Sequence, residues 1–130
     1  MGRRNPKILI VEDENIIALD IRSMLEDLGY MVSGVVSSGE ESIEKASQMK
    51  PDLILMDIKL KGTIDGVRAG EEIHKQFRIP VIYLTAYSDK ATLSRINNNG
   101  FKTVLHKPFD EGELQSVIHD TLGHQKSLFN

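Results

Sequence analysis

The sequence predicts an α/β protein with a five-stranded parallel sheet covered by helices on both faces. Short apolar runs rich in β-branched residues alternate with longer amphipathic stretches, in the βαβα order typical of such sheets. The run at 8–11 lacks the polar alternation of a half-exposed strand, which indicates burial on both faces. With 130 residues, of which 40% are hydrophobic and 27% charged, the chain is expected to form one domain around one core.

The first half of the chain is predicted to hold three strands and two helices. The strands are predicted at 8–11, 31–36 and 53–56, and the helices at about 16–28 and 39–49. Apolar residues recur at roughly helical spacing through the first helix, and Gly29 follows it as a left-handed stop. Pro51 and Asp52 break the chain before the third strand, and Asp57 caps that strand.

The second half is predicted to add three helices and two strands. A helix is predicted at 67–77, a strand at 81–84, a helix from Ser88 or Asp89 to Asn98, and a short strand at 103–105. Asp110 is expected to cap a last helix that fades near Gly123. Residues 1–6 are expected to be a flexible N-terminus, 7–123 the domain, and 124–130 a frayed tail.

The composition argues against several classes of protein. Without cysteine the chain has no disulfide and no thiolate ligand, so oxygen or histidine must hold any metal. No stretch approaches the ~20 apolar residues of a membrane span, and no apolar signal-peptide core follows the basic N-terminus. A cytoplasmic protein is therefore expected. The net charge of -3 offers no general attraction to nucleic acid, so direct nucleic-acid binding is not expected.

Polar residues stand where the predicted strands end. Glu12 and Asp13 follow the first strand, Asp57 the third, Thr85 the fourth and Lys107 the fifth. In an open α/β sheet, ligands bind beyond the carboxyl ends of the strands. These residues are therefore expected to form one ionic pocket.

The pocket predicts metal-assisted phosphoryl transfer. Three neighbouring carboxylates repel one another unless a cation lies among them, and Mg²⁺ suits oxygen ligands. Asp57 is then expected to act as a nucleophile, with Lys107 supplying a positive charge and Thr85 a hydrogen bond to the phosphoryl group. The product would be an aspartyl phosphate.

Four segments carry a resemblance to a known family. Residues 8–14 (ILIVEDE), 53–57 (LILMD), 84–86 (LTA) and 107–109 (KPF) resemble the response-regulator receiver family of two-component signalling. The resemblance covers nearly the whole chain. It implies a flavodoxin-like three-layer fold with strand order 2-1-3-4-5 and five helices. It also implies a signalling switch, not an enzyme, that is phosphorylated by a histidine kinase or phosphotransfer protein and signals to a downstream effector protein.

The resemblance also implies a metal-ligand set. By it, Asp57 is the phosphoacceptor, and the side chains of Asp13 and Asp57 hold Mg²⁺. The backbone carbonyl of Lys59 is a third protein ligand, and Glu12 acts through water. The resemblance further implies that Thr85 contacts the phosphoryl group, as does the lysine at position 107, and that the 107–108 peptide bond, which precedes a proline, is cis.

The chain departs from the family pattern at two places that bear on the switch. Val104 stands where the family usually has an aromatic residue that turns inward on phosphorylation. Either Thr85 and backbone movement act alone, or Tyr83 or Tyr87 substitutes. The loop at 59–66 lacks the usual proline and is one residue longer, so a different local geometry is expected.

Other functions fit the sequence less well. A flavin-binding flavodoxin needs a phosphate-binding loop after its first strand, where Glu12, Asp13 and Glu14 would repel phosphate. A haloacid-dehalogenase-type phosphatase needs a second aspartate at the position of Lys59. The remaining alternative is a receiver-like protein-interaction module that works without phosphorylation, against which the presence of Asp57 and its polar neighbours argues.

Overall fold

The computed structural model describes residues 5–86, 90, 91, 94 and 103–129 of the chain. Its strands are β1 (Lys7–Val11), β2 (Met31–Val36), β3 (Leu53–Asp57), β4 (Val81–Ala86) and β5 (Thr103–Lys107). They form one parallel sheet in the order β2-β1-β3-β4-β5. The predicted fold class, the strands and their order are confirmed, with strand ends that move by at most two residues.

Four helices have both ends in the described part of the chain. They are α1 (Asn15–Asp27), α2 (Gly39–Met49), α3 (Gly66–Phe77) and α4 (Glu111–Phe129). The helix predicted between Ser88 and Asn98 lies mostly outside the described residues. The residues described within it, at positions 90, 91 and 94, are helical.

The helix ends show why the chain turns where it does. Gly29 has a φ of 90° just after α1, a conformation that favours glycine. The side chain of Ser38 accepts a hydrogen bond from the Glu41 amide at the start of α2, and Asp65 does the same for the Arg68 amide at the start of α3. These caps satisfy amides that have no partner inside the helix.

The prediction that the last helix fades near Gly123 was wrong. Helix α4 continues through Gly123 to Phe129. Glycine lowers helix propensity by about 1 kcal/mol relative to alanine, but it keeps its N–H group, and no proline follows it in this chain. A single glycine is therefore too weak to end the helix. The domain boundary at residue 123 stays a prediction.

Alternate residues of the central strands enter opposite layers of the fold. One layer packs against α2 and α3 and holds strand residues Leu9, Val11, Ile54 and Met56. The other packs against α1 and α4 and holds strand residues Ile8, Ile10, Leu53 and Leu55. All eight are fully buried, so the central strands contribute apolar side chains to both layers. Polar residues of the central strands therefore lie at the strand ends.

No helix in the described residues has both the length and the apolar character needed to cross a membrane.

Candidate functional site

The sheet brings the predicted polar residues to one edge. Glu12 and Asp13 follow β1, Asp57 is the last residue of β3, Thr85 lies near the end of β4, and Lys107 ends β5. The side chains at positions 13, 57, 85 and 107, together with Lys59, line an open cleft of about 270 Å³. Because parallel strands place their carboxyl ends together, residues far apart in sequence meet here.

Three carboxylates form the acidic part of the cleft. One oxygen each from Glu12, Asp13 and Asp57 lies within 4.8 Å of the others. Glu12 and Asp57 are only 2% and 7% exposed, whereas Asp13 is half-buried. An all-oxygen set of this kind fits a hard divalent cation such as Mg²⁺, which commonly uses one or two carboxylates and keeps several waters.

Glu12 is already engaged by groups of the protein. Its Oε1 accepts a hydrogen bond from Lys107 Nζ at 3.0 Å, and its Oε2 accepts one from the Glu14 amide at 3.2 Å. A carboxylate held in this way is less available as a direct ligand. This arrangement is consistent with the prediction that Glu12 acts on a cation through water.

Lys107 is shared between two carboxylates. Its Nζ lies 3.0 Å from Glu12 Oε1 and 3.4 Å from Asp57 Oδ2. Burial disfavours the ammonium charge, but the neighbouring Asp57 and Glu12 carboxylates outweigh that effect and hold the pKa of Lys107 above its ordinary value. Lys107 is therefore charged in the cleft.

The pKa of the Asp57 carboxyl lies well above its ordinary value. Burial raises its pKa to about 7, and Glu12 pushes in the same direction, while Lys107 and the Lys59 amide oppose the shift. The Lys59 amide donates to Asp57 Oδ1 at 3.2 Å. A cation beside Asp57 would favour the ionised form, which is the nucleophilic one.

The backbone of Asp57 lies directly against the start of α3. A Cβ built on Gly66 would collide with the Asp57 carbonyl oxygen and lie 2.9 Å from Ile58 Cα. The Gly66 amide donates to the Ile58 carbonyl at 2.9 Å, and the Ile58 amide donates to the Leu84 carbonyl at 3.1 Å. From its sequence position, Gly66 is only the last residue of the loop at 59–66, and its contact with Asp57 could not be predicted because it depends on how α3 approaches the sheet.

Thr85 is 3% exposed, and its hydroxyl donates to the Ala86 carbonyl at 3.2 Å.

Two residues earlier in β4, Tyr83 is 1% exposed and its ring lies against Gly70 of α3. Tyr83 and Val104 are directly paired across β4 and β5. Tyr83 is thus already inside the core, beside the position where the family usually has its aromatic residue. Tyr87 lies outside the described residues.

The peptide bond between Lys107 and Pro108 is cis, as predicted.

A comparison with protein families gives an independent result. The family model described as the response regulator receiver domain matches residues 8–119. The transcriptional regulatory protein PdtaR of Mycobacterium tuberculosis is 37% identical over 112 residues, which are 86% of this chain and 54% of that protein. The phyllosphere-induced regulator PhyR of Methylorubrum extorquens is 37% identical over 122 residues, which are 93% of this chain and 45% of that protein.

The fold also matches solved structures. The signal receiver domain of a modulated diguanylate cyclase from Desulfovibrio desulfuricans superposes with a TM-score of 0.88 and 35% identity, and the match covers 98% of this chain and 100% of that one. The chain spans about half the length of the two curated relatives above. What the remainder of those proteins does is therefore a separate matter from what this domain does.

Proposed function

The chain belongs to the response regulator receiver domain family, and from this we propose that it is a two-component switch that accepts a phosphoryl group on Asp57. The observation that carries the proposal is the placement of Asp57. Its carboxylate lies at the sheet edge, with Oδ2 3.4 Å from Lys107 Nζ and one oxygen within 4.8 Å of carboxylate oxygens of Glu12 and Asp13. Receiver domains are signalling switches and not enzymes in the ordinary sense, and they generally bind Mg²⁺ in an acidic pocket of this kind.

We assign the metal ligands to groups that line the cleft. The side chains of Asp13 and Asp57 and the backbone carbonyl of Lys59 would hold Mg²⁺, and Glu12 would act through water. When bound, Mg²⁺ neutralises carboxylate charge and the charge of the incoming phosphoryl group. The close spacing of the three carboxylate oxygens, within 4.8 Å, supports this assignment.

The proposed reaction uses the ionised Asp57 carboxylate as the nucleophile. An Asp57 Oδ oxygen forms a bond to the phosphorus of a phosphohistidine, and the P–N bond breaks with its electron pair leaving on the imidazole nitrogen. Lys107 Nζ, 3.4 Å from Asp57 Oδ2, is close enough to attract a phosphoryl oxygen. The buried Thr85 hydroxyl would exchange its bond to the Ala86 carbonyl for one to that group.

The proposed partners are a histidine kinase or phosphotransfer protein and a downstream effector protein. Ile16 and Leu19, one turn apart in α1, are 85% and 68% exposed. Helix α1 begins next to Glu14, which lines the cleft. An exposed apolar pair beside the site supports docking of a protein donor there.

Replacing Ile16 or Leu19 with serine is expected to slow phosphorylation by a protein donor by roughly tenfold, because an anchor of the docking surface is lost. Phosphorylation by acetyl phosphate should be unchanged, since this small donor needs no docking surface. Transfer is measured from a phosphotransfer protein that phosphorylates the wild type. Met49→Ser is the control, because Met49 is 42% exposed at the far end of α2. Equal losses with both donors would contradict the docking role.

The proposed function is tested by incubating the protein with acetyl phosphate and Mg²⁺ and recording its intact mass. We expect a gain of one phosphoryl group, about 80 Da, that disappears when a chelator removes Mg²⁺. If no adduct forms and beryllofluoride with Mg²⁺ leaves the NMR spectrum unchanged, the phosphorylation-independent interaction module becomes the better explanation.

A further inference from the structure

The β3–α3 loop (residues 58–65) connects the phosphoacceptor to α3 and is held at its base by the sheet. The Ile58 amide and carbonyl bond to Leu84 and Gly66, and the Lys59 amide bonds to the Asp57 carboxylate at 3.2 Å. Ile58 is 2% exposed. The base of the loop is therefore fixed by the same contacts that fix Asp57.

The outer part of the loop is held by a different element, the first turn of α2. Glu40 Oε2 accepts two hydrogen bonds from Thr63, one from the amide at 3.0 Å and one from the hydroxyl at 2.6 Å. Ser38, the residue before α2, forms a parallel bridge with Lys61. Gly62, with a φ of 111°, supplies the turn that brings Thr63 to Glu40.

Apolar contacts hold this turn of the loop close to α2. A Cβ on Gly39 would lie 2.9 Å from Ile64 Cγ1, so α2 and the loop approach as near as a glycine allows. Leu60 and Ile64 pack against the core between α2, α3 and the sheet. The hydrogen bond from the Thr63 hydroxyl and, to a smaller extent, the one from the Thr63 amide lower the pKa of the Glu40 carboxyl. Glu40 is therefore ionised near neutral pH. The two bonds from Thr63 are thus charge-assisted.

We propose that Glu40 and Thr63 are positioning residues of the phosphorylation site, because they hold the β3–α3 loop on α2 and so keep Lys59 in its place in the cleft. The inference rests on the proposed function, in which the Lys59 carbonyl is a metal ligand. Neither residue touches the reacting atoms. Their effect is expected on the affinity for Mg²⁺, because a ligand on a loose loop must be ordered when the ion binds.

The test is a calorimetric titration of the metal-free protein with Mg²⁺, which gives the dissociation constant for the ion. Glu40→Ala and Thr63→Val are each expected to weaken Mg²⁺ binding by roughly three- to tenfold, the factor that corresponds to the net contribution of an ordinary exposed hydrogen bond. Thr63→Ser keeps the hydroxyl and should bind Mg²⁺ like the wild type. Chemical shifts of the Lys59 amide should move in the first two variants and not in the third.

Glu41→Ala is the matched control for Glu40→Ala. Glu41 stands in the same first turn of α2 and carries the same charge, but its carboxylate accepts hydrogen bonds from Ser37 and Ser38, which lie outside the loop. This variant loses a similar interaction with the helix dipole and should keep the Mg²⁺ affinity of the wild type. Thermal unfolding of every variant separates loss of positioning from loss of stability.

Two results would overturn the inference alone. One is an unchanged Mg²⁺ affinity in Glu40→Ala and Thr63→Val, which would leave the proposed function standing because the wild type still binds the ion. The other is an equal loss in Glu41→Ala, which would assign the effect to helix charge. A wild-type protein that binds no Mg²⁺ would overturn both the inference and the proposed function.

Discussion

We expect the Asp57→Asn variant to gain no phosphoryl group from acetyl phosphate, and to resist unfolding better than the wild type at pH 8 without Mg²⁺. The first result follows because an amide cannot replace the carboxylate nucleophile. The second follows because Asp57 is 7% exposed, so its charge is costly in the metal-free protein. The asparagine has a similar shape and carries no charge.

The sign of the pH dependence follows from proton binding. The folded state holds the proton on Asp57 up to a pKa of about 7, whereas the carboxyl has its ordinary pKa of 3.8 in the unfolded chain. Stability that the wild type has below pH 4 is therefore lost as the pH rises through 4 to 7. Over that window the free energy of unfolding of Asp57→Asn should rise relative to the wild type by roughly 2 to 4 kcal/mol.

Urea denaturation of both proteins at pH 4 to 8 measures this difference, and contributions common to both cancel. Saturating Mg²⁺ should shrink the difference at pH 8, because the cation stabilises the wild-type carboxylate and binds the variant less well. A difference that does not depend on pH would show that Asp57 ionises normally in the folded state. It would also remove one reason for expecting a metal before phosphorylation, namely the suppressed ionisation of Asp57.

We expect Gly66→Ala to lower the free energy of unfolding by about 3 kcal/mol and to reduce phosphorylation of the molecules that still fold. The new methyl group would collide with the Asp57 carbonyl, and neither β3 nor the start of α3 can yield without breaking the bonds around Ile58. The displacement would fall on Asp57, the proposed phosphoacceptor. Urea denaturation and the rate of mass gain with acetyl phosphate measure the two effects.

Gly123→Ala is the matched control for Gly66→Ala. Among the described residues no atom lies within 4 Å of a Cβ at this position, and Gly123 lies inside α4. Alanine should therefore stabilise the protein by about 0.5 to 1 kcal/mol through helix propensity alone. If Gly66→Ala proved as stable as the wild type, the close contact between α3 and Asp57 would be refuted.

The strands and the polar residues at their ends could be predicted because they depend on local patterns. A run such as 53–56 is apolar throughout and too short for a typical helix, which favours a strand buried on both faces and places Asp57 at the sheet edge. The topology follows from the family resemblance. Together these place Asp13, Asp57, Thr85 and Lys107 in one cleft without any knowledge of distances.

What could not be predicted depends on contacts between distant elements. Thr63 and Glu40 are 23 residues apart and both are exposed, so their sequence positions look like ordinary surface polarity. The approach of Gly66 to Asp57 depends on the angle between a helix and a strand. The position of Tyr83 against Gly70 is a matter of core packing, which a strand pattern does not specify. The length of α4 does not follow from Gly123, because a single glycine lowers helix propensity without ending a helix.

The ion pair between Lys107 and Glu12 joins residues that are 95 positions apart, at the ends of two strands, β5 and β1, that are separated in the sheet by β3 and β4. A chain that is still emerging from a ribosome therefore carries Asp57 long before it carries the positive charge that completes the site. Until β5 is in place, Glu12 and Asp57 lack the ammonium group that lies 3.0 Å and 3.4 Å from them in the folded protein. If Asp57 receives the phosphoryl group as proposed, that capacity is acquired only once β5 has joined the sheet, and a copy that lacks Lys107 is expected to be a poor acceptor.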